Sequence, residues 1–284
     1  MYLIFDREAT RYGSSQHPEC PARLIRTEAH LRDNRPKWKW RAPTSASDDA
    51  ILRVHSREHL ERLARPLDFD ADTPYYDEIL AHARRAAGAA VGVVDYAFDR
   101  KKAFALMRPP GHHATRDRAM GFCYLNSIAI AAFHAIEKGA ERVAIWDFDA
   151  HHGNGTEAIV HRHPAIHFAS IHQYPGYPGT GTHSFDNISN YPVPPNAAPG
   201  FHTGEVERGL ARLLEFKPDV ILVSAGFDAF AGDPITQMSL EVEHFELFGK
   251  WLRETGIDAG ALLEGGYSSD LPLLVESFLS GWSG

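Results

Sequence analysis

The sequence has few cysteines, no long hydrophobic run and no excess of basic charge. Only Cys20 and Cys123 occur among its 284 residues, so a disulfide framework is not expected and a reducing, cytoplasmic compartment is the simpler interpretation. The mildly apolar run Ala86–Val94 is too short to span a membrane, and Met1–Asp6 lacks the features of a signal peptide. The formal net charge of −8 comes without a basic cluster. Neither a membrane nor nucleic acid is therefore expected as a partner.

Apolar strand-like segments alternate with helix-like segments along the chain. This alternation predicts a mostly parallel sheet covered by helices on both faces, in one α/β domain over residues 1–284. No repeat, low-complexity tract or linker divides the chain. The predicted strands are Tyr2–Phe5, Lys37–Arg41, Ala103–Met107, Val143–Phe148, Ile166–Ile171, Val220–Ala225 and Ala259–Leu263.

The segment Val143–Thr156 concentrates charge at the end of a buried strand. Side chains alternate along a strand, so Asp147, Asp149 and His151 leave on one side if the extended geometry persists. Two carboxylates and an imidazole are costly to bury without a partner, and a divalent metal would be such a partner. The alternative is a pair of capping aspartates and loop histidines before a helix.

Polar groups also follow three other predicted strands. They lie in Gly111–His113, Gly226–Asp228 and Glu264–Tyr267. Ligands of open α/β sheets bind at the carboxyl ends of the strands, so these segments would form one site if they converge. The long glycine- and proline-rich segment His172–Asn187 is predicted to be a functional loop.

These motifs in this order resemble the zinc-dependent histone deacetylase family, which includes the acetylpolyamine amidohydrolases. The resemblance runs from His17-Pro18-Glu19 to Gly265-Gly266-Tyr267, with Arg108–His113, Asp147–Thr156, Pro178–Gly181 and Gly226–Ala229 between them. It implies an arginase/deacetylase-like fold: a single three-layer domain with a central sheet of about eight strands flanked by helices.

The resemblance implies that Asp149, His151 and Asp228 bind Zn²⁺. One nitrogen and two oxygen ligands are typical of an open catalytic site. Such an oxygen-rich set is less selective for zinc than thiolates, so Fe²⁺ or Co²⁺ could substitute. For Asp228 the alternative is a turn cap after Gly226.

The resemblance also assigns the catalytic groups. His112 and His113 are the acid–base pair, with Asp147 facing His112 and Asn154 facing His113, and Tyr267 donates a hydrogen bond to the oxyanion. A carboxylate favours imidazolium whereas a neutral amide does not. His112 is therefore predicted to stay protonated and His113 to be the freer base. The alternatives are two core histidines and a tyrosine packed over a glycine turn.

A structural K⁺ ion near the zinc site is implied by the resemblance alone. Its ligands would be the Asp147 carboxylate, the Ser170 hydroxyl and the backbone carbonyls of Asp149, His151 and Ile171. These hard oxygen donors suit such an ion chemically.

The implied substrate passage is narrow and aromatic. Phe122 and Tyr177 form its walls, the carbonyl of Gly121 accepts from the substrate amide, and Ile235 stands where polyamine-selective relatives can carry a glutamate. The family commonly has phenylalanine in place of Tyr177. Both aromatic residues could instead be core residues. The acidic loop Asp68–Asp72 could attract substrate at the rim.

The function implied is a metal-dependent amidohydrolase that deacylates acyl-lysine or a related acylated amine. The alternatives are an acetylpolyamine amidohydrolase and a non-catalytic acyl-lysine-binding protein. A two-metal ureohydrolase is discounted because it would need further carboxylate and histidine ligands after Asp228. Phe230 and Ala231 occupy that stretch, and Asp233 is the only acid nearby. Arg23 lines a channel for the released acid by resemblance, or forms a surface ion pair. A homo-oligomer is possible.

Overall fold

The computed structural model describes residues 1–284 as one α/β domain. A short 3-10 helix, Arg7–Thr10, precedes nine α-helices that flank an eight-stranded sheet. The strands are β1 Tyr2–Ile4, β2 Lys39–Arg41, β3 Ala103–Ala105, β4 Val143–Asp147, β5 Ile166–Gln173, β6 Ile188–Val193, β7 Val220–Ala225 and β8 Ala259–Leu263. The helices are α1 Ala22–Asn34, α2 Asp48–Leu52, α3 Arg57–Leu63, α4 Ile79–Phe98, α5 Ser127–Glu137, α6 Asn154–Val160, α7 Pro199–Glu215, α8 Val242–Glu254 and α9 Leu271–Ser283.

The strand order is β2-β1-β3-β8-β7-β4-β5-β6, and every pair of neighbouring strands is parallel. Strands β4, β7 and β8 are buried along their whole length, because helices cover both faces of a parallel sheet. Their near-continuous apolar sequences reflect this burial. The predicted α/β fold with about eight strands is confirmed.

Strand β6 was not predicted from the sequence. It lies at the edge of the sheet and pairs only with β5, and three of its six residues are buried. Its sequence, with Ser189, Asn190 and Pro192, lacks an apolar run because an edge strand is half-exposed and tolerates proline. Several predicted strand bounds also differ: β5 continues to Gln173, β2 begins at Lys39 and β3 ends at Ala105.

The sheet order brings the polar strand ends together. Strands β3, β8, β7, β4 and β5 are consecutive neighbours, and all run in the same direction. Their carboxyl ends therefore share one edge of the sheet, which is where open α/β sheets bind ligands. The convergence that the sequence analysis set as the condition for a single site is therefore met.

None of the nine helices combines the length and the apolar character needed to cross a lipid bilayer.

Candidate active site

Asp149, His151 and Asp228 form a buried cluster at the carboxyl edge of the sheet. One donor atom from each lies within 4.8 Å of the others. His151 Nδ1 is 2.8 Å from Asp228 Oδ2 and 3.3 Å from Asp149 Oδ1. Both carboxylates are fully buried. The structure thus brings together three residues from the ends of two strands, with donors suited to a divalent metal.

Backbone amides orient the two carboxylates of this cluster. Asp149 Oδ2 accepts from the N–H of Gly265 at 2.7 Å, and Asp228 Oδ1 accepts from the N–H of Ala150 at 2.8 Å. A Cβ added at Gly226 would lie 2.1 Å from Asp149 Oδ2, and one at Gly265 would lie 2.4 Å from Asp228 Oδ2. Glycine is therefore required at both positions to leave room for the carboxylates. Outer contacts of this kind fix the orientation of metal ligands.

The three side chains of the cluster also shift one another's pKa values. Burial would lower the pKa of His151, but Asp228 and Asp149 outweigh burial and raise that pKa to about 10. Burial would raise the pKa of Asp149, yet the charges of His112 and His151 hold it well below its usual range. The cluster thus sets one imidazole between two carboxyl groups, whose negative charge favours a cation at this point.

His112 is paired with a carboxylate. Its Nδ1 lies 3.0 Å from Asp147 Oδ2, and both side chains are buried. Burial would lower the pKa of His112, but the negative charges of Asp149 and Asp147 raise it to about 10. His112 is thus held as imidazolium at neutral pH, in the contact that the sequence predicted.

His113 is paired with an amide instead. Its Nδ1 lies 2.7 Å from Asn154 Oδ1. Since this oxygen can only accept, Nδ1 donates and Nε2 of the neutral ring is left as a free acceptor. Burial, together with the charges of His112 and His151, lowers the pKa of His113 well below its usual range. The two adjacent histidines thus differ in protonation because their partners and neighbours differ.

A cavity of about 280 Å³ lies beside the cluster. It is lined by every residue that the resemblance assigned to a substrate passage and by the proposed catalytic and metal-binding residues His113, His151 and Tyr267. Asp72 of the acidic loop also lines it, and so does Pro18, which had received no role. The lining residues are Pro18, Asp72, His113, Gly121, Phe122, His151, Tyr177, Ile235 and Tyr267. Mixed apolar walls with a few convergent polar groups are typical of a small-molecule site.

The aromatic walls of the cavity are fixed by the backbone and by ring contacts. Phe122 has a φ of 68°, which is uncommon for a bulky residue, and its N–H donates to Thr73 Oγ1 at 3.1 Å. Its ring meets that of Tyr267 edge-on at 5.8 Å between centroids. The Tyr177 ring meets that of His113 at 5.1 Å and 88°. Phe122 and Tyr177 are therefore cavity walls and not core residues.

Tyr267 lies over a buried arginine. The Arg23 guanidinium is 4.7 Å from the centroid of the Tyr267 ring and donates to the carbonyls of Gly266 at 2.7 Å and Glu264 at 2.5 Å. Its ion pair with Glu19 is also buried. The alternative of a surface ion pair for Arg23 is therefore wrong. Burial raises the pKa of Tyr267 well above its usual range, so its hydroxyl stays a hydrogen-bond donor.

Two buried carboxyl groups beside the site received no role from the sequence. Glu264 accepts from the Gly111 N–H at 2.6 Å and from the Ser224 hydroxyl at 3.1 Å, and burial raises its pKa to about 7. Asp233 accepts from the Tyr267 N–H at 2.7 Å, and burial followed by the charge of Asp228 raises its pKa to about 7. Glu264 begins the segment Glu264–Tyr267 already noted in the sequence, so that segment could have indicated a role for it. No motif in the sequence indicated a role for Asp233.

The residues implied for a K⁺ ion are close in the sheet. Asp147 on β4 is paired in register with Ser170 on β5, and Ile171 follows Ser170. The Ser170 hydroxyl lies 3.0 Å from His172 Nδ1 and 3.4 Å from the N–H of Gly153. The placement is compatible with the implied ligand set, and the ion itself stays a prediction.

Several known proteins are similar to this chain in sequence or in structure. The family model of the histone deacetylase domain matches residues 17–280. A probable deacetylase of Methanothermobacter thermautotrophicus is 40% identical over 80% of this chain and 74% of its own length. The histone deacetylase-like amidohydrolase of Pseudomonas aeruginosa is 35% identical over 90% of this chain and 73% of its own. The crystal structure of an acetylpolyamine aminohydrolase from Burkholderia pseudomallei matches with a TM-score of 0.90 at 26% identity, covering 100% of this chain and 99% of that one.

Metal binding at this cluster is predicted to release a proton. His151 must lose its proton to become a ligand, and its pKa of about 10 in the metal-free protein means that the proton is present at neutral pH. Zinc affinity should therefore increase about tenfold per pH unit between about pH 6.5 and 8.5. Calorimetric titration with zinc in buffers of different ionisation enthalpy measures the protons released. Release of at least about one proton per zinc is expected, and release of none would contradict a protonated His151.

Proposed function

The chain belongs to the histone deacetylase family, and on that premise we propose that it is a metal-dependent amidohydrolase that deacylates acyl-lysine or a related acylated amine. The observation that carries the proposal is the arrangement of His113 and Tyr267 with the Asp149–His151–Asp228 cluster around one cavity. A metal ligand set, a base and a hydroxyl donor beside an aromatic pocket are the parts needed for amide hydrolysis.

Asp149, His151 and Asp228 would hold the metal, which we propose to be Zn²⁺, with Fe²⁺ or Co²⁺ as substitutes. The cluster fits a divalent cation because two buried carboxylates surround one imidazole nitrogen, and glycines leave space beside both carboxylates. When bound, such an ion supplies a Lewis acid that polarises an amide carbonyl and acidifies water. A structural K⁺ held near Asp147 and Ser170 is part of the proposal.

His113 is proposed as the general base. Its pair with Asn154 leaves Nε2 free to accept a proton from the attacking water and later to return it to the leaving amine. His112 stays charged beside Asp147 and adds positive potential to a site where negative charge develops. Adjacent residues of the same type thus take different roles because of their partners.

Tyr267 is proposed to stabilise the tetrahedral intermediate. Tyr267 lines the cavity and its hydroxyl keeps its proton, so it can donate to the carbonyl oxygen as negative charge builds there. Phe122 and Tyr177 would contact the two faces of an aliphatic stem, and the Gly121 carbonyl would accept from the scissile amide N–H. Aromatic faces give contact area without requiring a polar partner on the stem.

A polyamine substrate is the second candidate. The match to an acetylpolyamine aminohydrolase and the carboxylate of Asp72 on the cavity favour it. Against it, Ile235 provides no charge to attract a polyamine cation. A non-catalytic acyl-lysine-binding protein is less favoured, because the residues proposed for base, donor and metal binding are all in place.

The variant His113→Ala is expected to retain zinc and to lose turnover. Removal of a general base lowers kcat by about 100-fold or more, while the Asp149–His151–Asp228 cluster does not depend on His113 for its hydrogen bonds. The measurement is deacetylation of acetyl-lysine peptides by zinc-loaded protein, with the metal content determined on the same samples.

The control for this experiment is His134→Ala, since His134 lies on α5 and pairs with Asp95 at the surface. That variant should keep wild-type turnover. Near-wild-type turnover of His113→Ala with metal bound would rule out the assigned base. Inactivity of the zinc-loaded wild type on every acyl substrate would favour a binding protein.

Replacing Ile235 should shift substrate preference. The variant Ile235→Glu places a carboxylate on the cavity wall, so kcat/KM for acetylated polyamines relative to acetyl-lysine peptides should increase about tenfold. The variant Ile235→Gln has nearly the same size without the charge and should not shift the ratio. An equal shift in both variants, or a wild type that already prefers polyamines, would contradict the acyl-lysine assignment.

A further inference from the structure

Asp233 is a buried carboxyl group that belongs neither to the metal cluster nor to the acid–base pair. It lies in the segment between β7 and α8 and is 7% exposed. Its two oxygens accept from two different backbone amides: Oδ2 from Tyr267 at 2.7 Å and Oδ1 from Ile235 at 3.1 Å. One side chain therefore joins the two loops that carry the proposed oxyanion donor and the aliphatic wall of the cavity.

These two loops follow different strands and need a connection. Ile235 belongs to the segment after β7, and Tyr267 follows β8 through Gly265 and Gly266. Gly266 has a φ of +113°, and a glycine pair leaves the backbone more conformational freedom than other residues would. Arg23 holds the carbonyl of Gly266, and Asp233 holds the N–H of Tyr267 itself. Arg23 and Asp233 thus bind the two polar groups of the peptide unit between Gly266 and Tyr267.

The chemistry of a carboxyl group suits this connection. Two N–H donors meet two acceptor oxygens, whereas an asparagine would offer one acceptor and turn its NH₂ toward the other donor. Burying a carboxyl group near Asp228 is costly unless it is hydrogen-bonded. Asp233 is absent from the cavity lining, so it would act through its neighbours and not on the substrate.

We propose that Asp233 is a positioning residue that fixes where Tyr267 and Ile235 lie relative to each other at the cavity. This inference rests on the proposed deacylase function and adds a determinant of where the Tyr267 hydroxyl lies. Small misplacements of a catalytic group cost rate more than binding, because the transition state depends on its position.

The test is Asp233→Asn in the zinc-loaded protein, with acetyl-lysine peptide as substrate. The expected result is a fall in kcat of about tenfold or more, with a smaller change in KM and unchanged zinc content. In a Tyr267→Phe background, which lacks the hydroxyl, the same substitution should lower kcat by less than about threefold, because both substitutions act through the Tyr267 hydroxyl.

Asp219→Asn is the matched control. Asp219 also accepts from two backbone amides, those of Glu141 and Arg142, both at 2.8 Å. It lies at the amino ends of β4 and β7, away from the cavity. This variant should leave kcat within about twofold of wild type. A loss in Asp233→Asn of equal size with and without the Tyr267 hydroxyl would overturn the proposal.

Backbone hydrogen exchange tests the same contact without an activity assay. Exchange should become faster in Asp233→Asn within residues 264–270 and 233–238 and stay unchanged in the sheet. Unchanged exchange in both segments, or faster exchange throughout the chain, would overturn the positioning role. Inactivity of the wild type on acyl substrates would instead count against the proposed function, so the two failures are distinguishable.

Discussion

The burial of two carboxylates around one imidazole is the constraint on which the site depends. Asp149 and Asp228 have no exposed surface, and charges so deeply buried are destabilising unless a cation and hydrogen bonds compensate for them. The two carboxylates raise the pKa of His151 to about 10, so a proton on this imidazole or a bound divalent ion supplies that cation. The backbone amides of Ala150 and Gly265 provide the hydrogen bonds. The sheet order matters because it alone brings the ends of β4, β7 and β8 close enough for these contacts.

A second feature is the use of different partners for identical side chains. His112 faces Asp147 and His113 faces Asn154, so one imidazole is held charged and its neighbour is held neutral. The pKa of His113 is lowered further by the positive charges next to it. A neutral imidazole beside a positively charged one suits a site in which a proton is accepted while negative charge is stabilised.

Much of this arrangement could be predicted from the sequence. The apolar runs predicted the buried strands because burial costs act locally. The alternation argument on Asp147–His151 found Asp149 and His151 of the cluster but wrongly grouped Asp147 with them, since the strand ends at Asp147 and its carboxylate pairs with His112. The resemblance to a family supplied Asp228, Tyr267 and the cavity walls. Strand β6 was missed because half-burial at an edge leaves no apolar run. The burial of Arg23 and the contacts of Asp233 depend on the packing of distant segments, which no local pattern encodes.

The most direct test is the zinc content of the protein after equilibrium dialysis, compared between the wild type and Asp228→Asn. The substitution keeps the shape of the side chain and removes its charge. About one tightly bound zinc per chain is predicted for the wild type and a large loss for the variant. A wild type that binds no zinc, or a variant that binds as much as the wild type, would contradict the assignment of Asp149, His151 and Asp228 as the metal site.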